Sequence, residues 1–265
     1  MEDLEPFILD LLARSGRLLV ERQQTAISTN KSARDLVTDA DLASQELIVG
    51  AVRSRFPAHA IYSEESERTP KHLFAPDCWV IDPLDGTNNY AYGFPIWGVS
   101  IAYAQAGEVV AGGVAYPMQG ICLLAEKGKG ARQYEADPRT GMLGKPKKLR
   151  VSSRAAMSQS MVLVCAHLGS EQADENLAGL GRIAKSVFNV RNLGAAVFNI
   201  GYVASGLADA CVEFKLQPYD GAAGALLVRE AGGKVTDMEG KEWRLDSPTM
   251  VCSNGRIHEQ LLRSL

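Results

Sequence analysis

The chain has 265 residues, 46% hydrophobic and 22% charged, with a formal net charge of -3 and a pI near 5.9. That length and balance suit one large core or two closely packed halves, and they exclude a disordered chain. The charge leaves no electrostatic footprint for nucleic acid, and the one basic cluster, Lys145 to Arg150, is short and reads as a solvated loop.

Residues 1 to about 24 predict a helix: Leu4, Phe7, Ile8, Leu11 and Leu12 recur at helical spacing among acids, unlike a basic-then-apolar leader. A polar connector, Ser28 to Arg34, carries Lys31 as a solvated residue. It leads to a second helix from Asp41 to about Phe56, ended by Pro57. Ala60 to Tyr62 and Trp79 to Ile81 are apolar runs expected to be buried strands, with Pro83 stopping the ladder. Gly86 then turns the chain before Thr87, the expected N-cap of a helix. Val99 to Ala104, Val109 to Ala115 and Ile121 to Ala125, parted by glycine-rich turns, predict an antiparallel meander. Gly128-Lys129-Gly130 lacks phosphate-loop spacing and is expected to be a hairpin turn.

Beyond a polar loop, Asp137 to Lys148, a second half begins. It holds a strand Met161 to Ala166, helices Glu171 to Ala184 and Ala195 to Ala204, and a strand Ala210 to Phe214. A helix opened by Asp220 follows and ends at Gly232-Gly233, then strands near Lys234 to Thr236 and Thr249 to Cys252, then a last helix, His258 to Leu265. Helices interleaved with mixed strands favour an α+β layering in one domain, with halves of about 1–145 and 146–265 and no internal repeat. No apolar run approaches the roughly 18 residues of a membrane span. Five scattered cysteines, Cys78, Cys122, Cys165, Cys211 and Cys252, form no CxxC pair; they suit buried free thiols and a cytoplasmic protein.

Asp82 and Asp85 are the strongest chemical signal, two carboxylates three residues apart where an apolar strand breaks into a turn. Hard cations such as Mg²⁺ want such oxygen ligands. Glu64 and Glu65 follow another strand-like run, and Asp220 stands at a helix start after Pro218. Each acid alone has an ordinary structural role: Asp85 as a turn former, Asp220 as a helix cap, Glu64 as a surface acid. If Glu64, Asp82, Asp85 and Asp220 converge, cations must offset their repulsion, and a site of two or more Mg²⁺ ions suits phosphoryl transfer to water. Gly86 and Thr87 amides would then hold the phosphate. Asp35 to Asp41 is a second acidic knot, open to helix capping or to catalysis. The histidines, His59, His72, His167 and His258, are isolated, which argues against zinc, and no GxSxG elbow occurs.

These motifs in this order resemble the inositol monophosphatase family of lithium-sensitive, Mg²⁺-dependent phosphatases, from about Asp3 to the C-terminus. The signature D-P-[LI]-D-G-[TS] is Asp82 to Thr87; P-W-D-x-A-A-G is Pro218 to Gly224, followed by Glu230-Ala231-Gly232-Gly233. D-x-V-T-x-x-D is Asp35 to Asp41, and G-E-E-S is Ser63 to Ser66. The resemblance implies a layered αβαβα sandwich, a homodimer and two or three Mg²⁺ ions. Glu64, Asp82 and the Leu84 carbonyl would bind one ion, Asp82, Asp85 and Asp220 a second, and a third would lie near Glu64. Thr87, bonded to Asp41, would activate water with help from Glu64. Asp85, Gly86, Thr87, Gly194, Ala195, Ala196 and Glu213 would meet the substrate.

Tyr219 replaces the family's usual Trp, Ser63 its Gly, Ala195 its Ser or Thr, and Asn88-Asn89 its Thr-Asn. The missing hydroxyl at Ala195 bears on substrate choice, since polar contacts discriminate related polyols. Asn88 also differs from the Lys of relatives acting on 3′-phosphoadenosine phosphates or histidinol phosphate. The leading expectation is therefore hydrolysis of an inositol phosphate or similar small polyol or sugar phosphate. Fructose 1,6-bisphosphate and NADP are alternatives, as is a binding role toward the transcription machinery, with no membrane or direct nucleic-acid partner.

Overall fold

A computed structural model describes residues 4–26, 28–32, 35–66, 69–137, 140–165 and 173–265. The first half builds α1 (Leu4–Arg22), β1 (Ser28–Ser32), β2 (Asp35–Thr38), α2 (Asp39–Arg55), β3 (Ala60–Ser63), β4 (Cys78–Asp85) and α3 (Thr87–Ala91). The meander follows as β5 (Gly98–Gln105), β6 (Glu108–Tyr116), β7 (Ile121–Glu126), β8 (Gly130–Glu135) and β9 (Lys147–Lys148). The second half holds β10 (Met161–Cys165), α4 (Ala173–Ser186), β11 (Asn189–Arg191), α5 (Ala196–Ala204) and β12 (Ala210–Glu213). It ends with α6 (Pro218–Glu230), β13 (Lys234–Thr236), β14 (Met250–Ser253) and α7 (His258–Leu262).

Strands β3 to β9 lie in sequence order in one seven-stranded sheet, antiparallel except for the β3–β4 pair. The second sheet runs β11-β10-β12-β14-β13 and mixes parallel with antiparallel pairs. Three apolar clusters set the layers. Ile8 and Leu12 of α1 and Ile48 and Val52 of α2 pack with Trp79, Ile81 and Ile101 on one face of the large sheet. Its other face, through Val80, Ala102 and Val114, meets Phe198 and Ile200 of α5 and Ala223 and Leu227 of α6, which also cover Cys211 and Cys252 of the small sheet. Ile183 of α4 and Leu261 of α7 close the far side against Val162, Val164 and Val212. The order is helices, sheet, helices, sheet, helices: the α+β, αβαβα sandwich expected.

The layering explains β4. Its run Cys78-Trp79-Val80-Ile81 is unbroken because both faces of the strand are covered, odd positions by α1 and α2, even positions by α6. Helices α5 and α6 approach closely at Gly224, where a Cβ would stand 2.6 Å from Ile200 Cγ2.

Local expectations were corrected in four places. The polar connector at 28–34 contains β1, which pairs antiparallel with β2 in a two-stranded ribbon; its polar residues gave no alternation to read. The polar loop of 137–148 ends in β9, against β8. Pro83 does not stop the ladder but lies inside β4, at a break in register. Thr87 is the first residue of α3, and Gly86, at φ 85, is the N-cap. Of the helix predicted from Glu171, the described part begins at Ala173; Ala166, His167, Glu171 and the Asp3 end of the first helix lie outside the described residues.

Candidate active site

Asp82 and Asp85 are an odd number of residues apart, so a regular strand would aim them at opposite faces. In β4, however, Asp82 pairs with Ser100 and Asp85 with Gly98, three residues on one strand against two on the other. This extra residue is a bulge, and it brings both carboxylates to one side. Leu84 N donates to Asp82 Oδ1 at 3.0 Å, while Ser44 Oγ of α2 holds the Pro83 carbonyl at 2.8 Å. The peptide planes of the bulge are thus fixed from within and from behind.

Opposite the bulge, Asp220 enters in the first turn of α6, where its Oδ2 accepts from Gln217 N at 3.1 Å. Asp82, Asp85 and Asp220 offer oxygens that all lie within 4.8 Å of one another. Glu64 follows β3, its amide bonded to the Ile81 carbonyl, and joins them along a cavity of about 230 Å³. Leu84, Gly86, Thr87, Asn88, Gly194 and Tyr219 complete the lining. Gly86 is required: a Cβ there would stand 3.0 Å from the Ile96 carbonyl oxygen, at a left-handed backbone angle.

Thr87 Oγ1 lies 3.1 Å from Asp41 Oδ1 and 3.1 Å from the Leu84 carbonyl. Asp41 is buried at the start of α2, and its other oxygen accepts from the amide (2.8 Å) and hydroxyl of Thr38 in a capping box. Burial raises the Asp41 pKa against the lowering effect of these bonds. The cluster is more perturbed. Burial, then the charges of Glu64, Asp220 and Asp85, push Asp82 well above the ordinary carboxylate range. Asp220 rises likewise, through burial and the Asp85 charge. Asp85 reaches about 6 by burial, although the amides of Val197, Ala196 and Gly86 bond to it and pull it down.

Of the residues singled out toward substrate, Gly194 lines the cavity, while Ala195 and Ala196 are buried beside it. The α5 N-terminus meets Asp85 through its amides, with Val197 N 2.8 Å from Oδ2. Glu213 is not part of the cavity lining, although the charges of Asp85 and Asp220 bear on it. Its side chain is fully covered, Oε1 accepting from Asn199 Nδ2 at 2.8 Å and Oε2 left without a partner, and burial pushes its pKa well up. Two supporting residues had no signal of their own in the sequence, Ser44 and Gln45, whose Oε1 accepts from Ser63 Oγ (2.6 Å) and Glu65 N (3.2 Å); Asn89, met only in the family's Thr-Asn pair, bonds the Leu193 carbonyl through its carboxamide. Each is an ordinary polar residue whose partner comes from elsewhere in the chain.

Charges packed this closely, in a cleft lined with oxygen donors and no histidine or cysteine, suit hard divalent cations. Fold and site together make an αβαβα sandwich with a cluster of acids in its cleft. Residues 3–265 match the inositol monophosphatase family. The chain belongs to that family. It is 33% identical over 261 residues to the fructose-1,6-bisphosphatase/inositol-1-monophosphatase of Thermotoga maritima, covering 97% of this chain and 93% of that one. It is 34% identical to Nus factor SuhB of Pseudomonas aeruginosa over 93% of this chain and 88% of that protein. The crystal structure of extragenic suppressor protein suhB from Bartonella henselae superposes with a TM-score of 0.87 at 30% identity, covering 98% of this chain and 97% of that one.

Proposed function

We propose that this chain is a Mg²⁺-dependent phosphomonoesterase acting on an inositol monophosphate or a similar small polyol or sugar phosphate. The convergence of Asp82, Asp85 and Asp220 beside Glu64 carries the reading, since buried acids that repel one another need cations to be ionised together. Glu64, Asp82 and the Leu84 carbonyl would hold one ion, Asp82, Asp85 and Asp220 a second, and a third would lie near Glu64. Bound Mg²⁺ makes a water more acidic and steadies the leaving oxygen.

The chain's own groups do the rest. Thr87 Oγ1, set by Asp41, orients the attacking water, and Glu64 helps to take its proton. The Gly86 and Thr87 amides hold the phosphate. Asp85 and the segment from Gly194 to Ala196 face the alcohol, and a cavity of about 230 Å³ suits one phosphate on a small ring. Glu213 stays behind this wall, held by Asn199. A homodimer in a reducing cytoplasm completes the proposal; the buried thiols of Cys78 and Cys122 support that setting.

The test is phosphate release from inositol phosphates, fructose 1,6-bisphosphate, NADP and histidinol phosphate, with Mg²⁺ or with EDTA. Inositol 1-phosphate is expected to be turned over only with Mg²⁺, and Asp82→Asn to lose activity by orders of magnitude with an unchanged circular dichroism spectrum. Inactivity on the whole panel, or turnover indifferent to EDTA, would sink the proposal. The Thermotoga relative favours fructose 1,6-bisphosphate as a second substrate, and the Pseudomonas relative favours a transcription-related role. The Thr87–Asp41 hydrogen bond beside the acid cluster favours catalysis over a purely binding role.

A further inference from the structure

The wall that faces the alcohol is a short irregular segment, Leu193 to Ala195, between β11 and α5. Asn89 of α3 reaches it. Its Nδ2 donates to the Leu193 carbonyl at 2.8 Å and to the Ile96 carbonyl at 2.7 Å. Two carbonyl oxygens face one nitrogen with two protons, so both donors are used; the reverse orientation would set oxygen against oxygen. The segment rests on the carboxamide itself: at Gly194, φ +72, a Cβ would stand 3.2 Å from both Nδ2 and Oδ1 of Asn89.

Three residues further on, Val197 N donates to Asp85 Oδ2. The segment is therefore pinned twice by groups from the same short stretch, Asp85 and Asn89. Asp85 also belongs to the acid cluster, whereas Asn89 makes no contact with it and does not line the cavity. We infer that Asn89 is a positioning residue for the alcohol half of the substrate, holding Leu193 to Ala195 at a fixed distance from the phosphate-binding turn. This assignment rests on the function proposed above. It separates two tasks of one motif: Asp82 to Thr87 serve metal and phosphate, and Asn89, two residues on, serves the leaving alcohol.

The test compares inositol 1-phosphate with p-nitrophenyl phosphate, which has no hydroxyls for the wall to meet, in Asn89→Ala and Asn89→Asp. KM for inositol 1-phosphate is expected to rise roughly tenfold or more, the loss of two hydrogen bonds. KM for p-nitrophenyl phosphate and inhibition by inorganic phosphate should stay within about twofold, since a placement lost on one side of the substrate leaves the other untouched. Hydrogen exchange should quicken at the amides of residues 194–197 and not in β4. Equal losses on both substrates, or unchanged exchange at 194–197, would overturn the inference. A wild-type protein inactive on both substrates refutes the proposed function instead, and the exchange result then decides the role of Asn89 alone.

Discussion

Replacing Asp85 by Asn should stabilise the metal-free protein, by an amount that depends on pH. Asp85 gives up its proton near pH 6 when folded, against 3.8 for the ordinary side chain, chiefly because it is buried. Between those values the folded state binds more protons than the unfolded one, so the carboxyl costs stability as pH rises through the window. A rise of roughly two pH units corresponds to about 3 kcal/mol, and solvent at the cavity mouth reduces this to about 2. Asn keeps an oxygen for the amides of Val197 and Ala196 and caps a helix as well as Asp does, so little is lost in exchange. Urea unfolding of both proteins in EDTA, from pH 4 to 7.5, should show no advantage for Asp85→Asn near pH 4 and the full advantage above about 6.5. With saturating Mg²⁺ the order should reverse, because the wild type then gains binding energy that the variant lacks. A variant less stable than wild type in EDTA at pH 7, or an advantage constant with pH, would refute the burial argument.

His258, fully buried with Nδ1 2.8 Å from Ser253 Oγ and Nε2 3.0 Å from Thr236 Oγ1, has its pKa lowered by burial to about 4. A depressed histidine contributes stability above about pH 6.5 that is lost as pH falls toward 4, up to about 3 kcal/mol. His258→Gln should flatten that acid limb in the same urea series, and an unchanged limb would remove His258 as its cause. This trend opposes that of Asp85, so differences between variants, and not the wild-type curve, carry the information. Gly201→Ala sets a methyl group against the Tyr116 hydroxyl, which donates to the Val197 carbonyl at 2.9 Å. It should cost roughly 1–3 kcal/mol of stability by overpacking; a neutral result would mean that Tyr116 swings aside without loss.

The sequence announced its layers through apolar runs, and the acids through their turn chemistry. What it offered as rival readings proved compatible. Asp41 and Asp220 were each open to helix capping or to chemistry, and in the structure each does the capping while pointing its carboxylate into the site region. Asp85 does the same for α5, whose own N-cap, Ala195, has no side-chain acceptor. A helix start with an acid in its first turn is a local pattern and therefore readable; which helix starts meet is set by packing across the sandwich. Pro83 was misread for a related reason. Its missing N–H argued against a ladder, but a bulge needs no hydrogen bond there, and only the pairing of Asp82 with Ser100 and Asp85 with Gly98 reveals it. Glu213 was assigned to the substrate by resemblance alone; in the structure it is buried on β12 with Asn199 bonded to it, and the charges of Asp85 and Asp220 bear on it.

Asp220 stands half the chain beyond Asp85. During synthesis Glu64, Asp82 and Asp85 are therefore made well before the fourth acid of the cluster. The last strands and α6 must then dock an additional carboxylate into an occupied, like-charged cleft, and a divalent ion present at that moment turns a repulsive closing step into a favourable one. With the Mg²⁺ binding proposed above, metal supply would bear on how many chains reach the closed form as well as on how fast each one works.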